Sequence, residues 1–171
     1  MSELLIPALI PAATENDPRL RRAYALAGTA VAASKLSRPT LRLARLGLEE
    51  GARYHTPALP AALRQNRAFL EDNVMAELAA VAAEQIKFGA ALTDMAPMRR
   101  TLEQAAANAD EAEATQAYLE VLLARARGLL RRCWAEVEIV AMALQEHRVL
   151  EGSEVEHRIR CAQGIRSNTL N

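Results

Sequence analysis

The stretch Asp17-Pro18-Arg19-Leu20-Arg21-Arg22-Ala23-Tyr24-Ala25-Leu26-Ala27-Gly28-Thr29-Ala30-Val31 decides the fold class. It opens with a helix-capping residue followed by proline, whose fixed backbone angle and missing N–H suit the first helical position. Leu20, Tyr24, Ala27, Val31 and Leu36 then recur at helical spacing. Ser37-Arg38-Pro39 stops the run, because the residue before proline avoids the α region. A helix is therefore predicted over about 18–36.

The rest of the chain agrees with a helical protein. Its 171 residues are the size of one domain, and 51% hydrophobic content is ample for a core. Aromatic residues make up only 4%, and Ala and Leu carry most of the apolar content, which favours close-packed helices over a β-sandwich. The class expected is mainly α, with a helical bundle over 18–162, an N-terminal extension over 1–17 and a C-terminal tail over 163–171.

Downstream of Pro39, Leu41-Arg42-Leu43-Ala44-Arg45-Leu46 alternates apolar and polar residues, and Glu50-Gly51 and Arg53-Tyr54-His55-Thr56 follow. This predicts a small two-stranded element near 40–56. Leu63, Phe69, Leu70, Val74, Leu78, Ala82 and Ile86 form an apolar stripe for one long helix, or two end to end, over 61–87, closed by Gly89. Asp94 stands ahead of Pro97 as a cap for a helix over about 95–108. From Asp110 a long periodic segment carries Tyr118, Val121, Leu122, Leu129, Leu130, Cys133, Val137, Val140, Ala141 and Leu144 on one side, with a bend expected at Gly128. Ser153-x-x-Glu156 has the form of a capping box for a last helix to about Ala162.

Several function classes are disfavoured. Lys plus Arg and Asp plus Glu number 21 each, so no global field draws in nucleic acid or an anionic membrane. The pairs Arg21-Arg22, Arg99-Arg100 and Arg131-Arg132 read as solvated helix faces. No run reaches the roughly 20 apolar residues that span a bilayer. Leu4-Leu5-Ile6-Pro7-Ala8-Leu9-Ile10-Pro11 follows Glu3 and holds two prolines, so it is not expected to be a leader. Cys133 reads as core, and neither it nor Cys161 has the spacing of a zinc or redox motif, so both are expected to be reduced thiols in a cytoplasm.

No phosphate loop, nucleophile elbow or calcium loop occurs. His55, His147 and His157 form no pair at helical metal-binding spacing. Glu49-Glu50 and Glu136 with Glu138 read as solvated charges. Neither a metal nor a cofactor is expected.

The order of these elements and several local phrases resemble the peptidase domain of the FtsH-type zinc metalloproteases, over about Pro18 to Ile159. Arg22-Ala23-Tyr24-Ala25-Leu26-Ala27-Gly28-Thr29-Ala30-Val31 resembles the family's active-site helix, whose A-Y-H-E-A-G-H-A-V phrase presents two histidines and a glutamate. Those three positions are here Ala25, Leu26 and Thr29. Tyr54 to Pro60 resembles its strand and proline-bounded loop, Ala79 to Gly89 its G-R-A-A-E-E-L-x-F-G helix end, and Leu150-Glu151-Gly152-Ser153-Glu154-Val155 its L-x-G-x-E-V turn between the last helices. Asp94 matches the family's third zinc ligand, and one carboxylate alone does not hold a catalytic zinc. The AAA ATPase module that precedes the peptidase in the family has no counterpart here.

The resemblance thus implies a pseudoprotease: a catalytically inactive, metallopeptidase-like domain acting as a protein-binding or assembly module, with a protein partner or self-association. Two alternatives stand beside it. One is a small-molecule binder or enzyme with a repurposed cleft near Ala27, Tyr54, His55 and Asp94. The other is an unrelated helical protein with a structural or regulatory role.

Overall fold

The computed structural model describes residues 17–169, with side chains described to residue 164. Residues 1–16, and with them the expected extension, lie outside the described residues. The chain is mainly helical with a small antiparallel sheet.

Helix α1 (Pro18–Leu36) is the spine. Asp17 caps it by accepting the Arg19 N–H at 2.9 Å, Pro18 occupies the first position, and Ser37 ends it in the left-handed conformation with its N–H on the Ala33 carbonyl. Every residue from Ala23 to Ala33 is buried, the expected fate of a helix apolar all round. It packs mainly on α3 (Arg67–Phe88) and α7 (Trp134–His147). A side chain at Gly28 would place its Cβ 2.5 Å from the Ala79 carbonyl oxygen and 2.6 Å from the Ala83 Cβ, so glycine permits the close approach of α1 and α3.

A 3-10 turn (Pro39–Leu41) leads into strand β1 (Leu43–Gly47), which pairs with β2 (Gly51–Tyr54) as predicted. The alternation is broken between Leu43 and Arg45 by an irregular register, which lets Leu43 and Leu46 both face inward. A third strand, β3 (Val149–Glu151), completes the sheet in the order β2-β1-β3, with Leu46 opposite Leu150. It was not foreseen, because three residues at the end of a helix carry no periodicity.

Short α2 (Pro60–Gln65) precedes α3, and α4 (Ala96–Ala105) and α5 (Ala109–Glu113) lead to α6 (Thr115–Arg132). The expected bend at Gly128 is not there: α6 runs through it, and the break falls at Cys133, which separates α6 from α7. Cys133 is buried, and its thiol contacts the Leu129 carbonyl at 3.2 Å.

The last helix, α8 (Gly152–Thr169), starts and ends differently from expectation. Its cap is Glu154, whose carboxylate accepts the Glu151 N–H at 2.7 Å, whereas Glu156 instead accepts from the Ser34 hydroxyl at 3.1 Å. It continues past Ala162 to Thr169, so most of the expected tail is helix. The resemblance places a turn between helices at Leu150 to Val155, but β3 intervenes there. Gly152 is needed at this junction, since a Cβ would lie 2.0 Å from the Leu43 carbonyl oxygen.

Candidate functional site

Ala25, Leu26 and Thr29, the positions that the resemblance would set in place of two ligands and a base, are all buried inside the bundle. Their side chains are a methyl, an isobutyl and one hydroxyl, and none is a carboxylate or an imidazole. Beside them on the same helix, the Tyr24 ring stacks on Trp134 at 5.9 Å and meets Phe88 edge-on at 5.7 Å, while Lys87 lies over it at 4.9 Å. The helix therefore spends its faces on packing. No group of three or more His, Cys, Asp or Glu is placed to hold a metal among the described residues.

Asp94 is exposed, and, two residues ahead of α4, its carboxylate accepts the Ala96 N–H at 2.9 Å. It restrains the entry to that helix, much as a cap does. The carboxylate that organises this loop from within is Glu84, buried on α3, whose Oε2 accepts the N–H groups of Leu92 at 3.1 Å and Thr93 at 2.9 Å.

Tyr54 and His55 do not share a cleft. Tyr54 ends β2 and His55 lies one residue past it, and the two line separate recesses. His55 belongs to one of about 490 Å³ with Ser34, Ser37, Arg42 and Glu156. Tyr54 lines one of about 150 Å³ with Glu77. Burial, and secondarily the Glu77 charge, pushes the Tyr54 phenol up to about 12, and desolvation raises the Glu77 carboxyl above its usual range. Asp94 joins neither. Tyr54 packs beside Ala76, and Glu84, which holds the Leu92–Thr93 backbone, is eight residues further along α3, roughly 12 Å at 1.5 Å per residue. A single cleft of Ala27, Tyr54, His55 and Asp94 is therefore not formed; Ala27 itself is fully buried.

A more apolar feature is not legible in the sequence. Between α3, α4 and α6 runs a groove of about 440 Å³ with an apolar lining that includes Leu102, Ala106, Ala114, Ala117 and Val121. Val121 is 47% exposed, against the core position expected of it. The buried stripe of α6 is Leu119, Leu122, Leu123, Ala126 and Leu130; Ala114, Ala117 and Val121 recur as a second stripe along its flank.

Charged pairs border it. Arg67 donates to Glu111 at 2.7 Å, and Glu71 accepts from the Tyr118 hydroxyl and from Arg125 at 2.9 Å. The Ala107 N–H, and then Arg67, hold the Glu111 carboxyl below its usual range, while burial and the Glu71 bond push the Tyr118 phenol up to about 12.

Four further side chains make contacts that the sequence does not announce. Glu136 is fully buried and faces Lys35 at 3.4 Å. Arg21 and Arg22 donate to the carbonyls of Ala90 at 3.1 Å and Leu48 at 3.0 Å. Cys161 is exposed with its sulfur 3.5 Å from the Nε2 of His157, its i, i+4 neighbour on α8.

Among the described residues no helix is long and apolar enough to cross a membrane. No protein-family model matches the chain, and no curated protein matches it significantly.

Proposed function

We propose that this chain is a peptidase-like domain without peptidase chemistry, a cytoplasmic pseudoprotease of FtsH-type ancestry that works as an assembly module. One observation carries the reading: the helix aligned with the family's active-site helix holds Ala25, Leu26 and Thr29 inside the core. Neither a metal nor a general base has a donor there. The element order of a helix, a small strand pair and a long helix ahead of a helical bundle is the one the resemblance leads one to expect.

The occupant of the α3–α4–α6 groove, on this reading, is a second copy of the chain. Its apolar floor offers area to bury, and the border alternates Arg67 and Arg125 with Glu71 and Glu111. A two-fold axis through such a border would let arginines of one copy meet glutamates of the other. The formal net charge of zero adds no long-range repulsion between copies.

Elemental analysis and a peptidase assay with and without chelator test the loss of chemistry. Stoichiometric zinc with chelator-sensitive cleavage overturns it. Light scattering across a concentration series tests the assembly: the expected result is concentration-dependent dimer or ring formation that Val121→Glu abolishes while the helical circular dichroism signal is kept. A monomer at every concentration overturns the self-association.

A further inference from the structure

The recess beside Tyr54 has a chemistry of its own. Leu41, Leu63 and Val74 are among its apolar walls, and its polar lining is Thr40, Tyr54, Asn73, Glu77 and Thr101. Glu77 is the only charged residue in that lining; no lysine, arginine or histidine takes part. Glu77, at the rim, forms no ion pair among the described residues.

Two donors of this lining are committed elsewhere, whereas the hydroxyls of Thr40 and Tyr54 form no hydrogen bond among the described residues. The Asn73 amide nitrogen donates to the Phe69 carbonyl at 2.8 Å, which leaves the amide oxygen. Thr101 donates its hydroxyl to the Pro97 carbonyl at 3.1 Å, which leaves the oxygen lone pairs. The Thr40 Oγ1 is buried with no hydrogen-bond partner, a costly arrangement that a ligand would relieve. The recess thus presents one carboxylate, neutral oxygens and hydroxyls, and the Tyr54 side chain beside aliphatic residues.

We propose that this recess is a binding site for a small primary alkylammonium ion, held by Glu77 and the oxygens of Thr40 and Asn73, with its alkyl part against Leu41, Leu63 and Val74. Its volume of about 150 Å³ equals that of a cavity that takes benzene, so the ligand has roughly four to six non-hydrogen atoms. The Tyr54 ring adds cation–π attraction. The elevated Glu77 and Tyr54 titrations agree with a recess that disfavours further negative charge, which a bound cation would offset.

Titration of the full chain with n-butylammonium, followed by amide chemical shifts, tests the site against two probes of similar shape, 1-butanol and butyrate. The expected result is saturable shifts at Tyr54, Val74 and Glu77 with butylammonium alone, weakened about tenfold or more by Glu77→Gln, the size of a lost charge-assisted bond. Thr40→Val serves as a second variant of unchanged shape and is expected to weaken binding as well. Absence of saturation, equal binding of butanol, or unchanged affinity in a folded Glu77→Gln protein overturns the proposal.

Discussion

Lys35 Nζ stands 3.4 Å from Glu136 Oε1, joining the last turn of α1 to the first turn of α7, with the Glu136 side chain 1% exposed and that of Lys35 25% exposed. A buried carboxylate depends on the groups that pair with it, and Lys35 is one of them. Lys35→Met is expected to destabilise the fold by about 2–4 kcal/mol, somewhat below the value for a fully buried pair because Lys35 keeps contact with water. The double change Lys35→Met with Glu136→Leu should be less harmful than Lys35→Met alone, since it removes the buried carboxylate as well. Urea midpoints of the two single variants and the double variant measure the coupling.

Gly28→Ala sets two effects against each other. Alanine favours a helix over glycine by about 1 kcal/mol. Here the added methyl would sit 2.5 Å from the Ala79 carbonyl oxygen, a backbone atom that cannot swing aside. Overpacking costs about 1–3 kcal/mol or more and wins. Thermal unfolding should show a lower midpoint, and an unchanged or raised one would mean that α1 and α3 can separate at no cost.

Glu84→Ala removes the acceptor of two backbone N–H groups, those of Leu92 and Thr93. A loss of about 1–3 kcal/mol is expected for each buried donor left without a partner, reduced where water reaches the loop. Hydrogen exchange should speed up at Leu92 and Thr93 first, and Glu84→Gln, which keeps an acceptor oxygen, should preserve part of the protection.

The phenols of Tyr54 and Tyr118 are each raised from 10.0 to about 12. Between those values the folded state holds protons that the unfolded state has lost, so unfolding is favoured as pH rises. The stabilisation is complete below about pH 10 and declines through about pH 12. Ultraviolet titration at the tyrosinate band should show two phenols ionising late, and Tyr54→Phe should remove one of them and flatten part of the alkaline loss of stability.

Local chemistry determined a good deal of this molecule. Asp17-Pro18 and Ser37-Arg38-Pro39 bound α1 at both ends because capping and proline geometry act within a few residues. The strand pair near Leu43 to Tyr54 was legible from alternation, and the stripe from Leu70 to Ile86 from its 3.6-residue period. Absence of histidine or glutamate at Ala25, Leu26 and Thr29 needs no coordinates either. What the sequence could not express were relations between distant segments. The pairing of β3 with β1, the burial of Glu136 against Lys35, the groove on the flank of α6 and the separation of Tyr54 from His55 into two recesses each depend on residues brought together by packing. Periodicity reports that a helix has an apolar side, but only the neighbour that covers it decides whether Val121 becomes core or surface, and whether Glu136 meets water or a lysine.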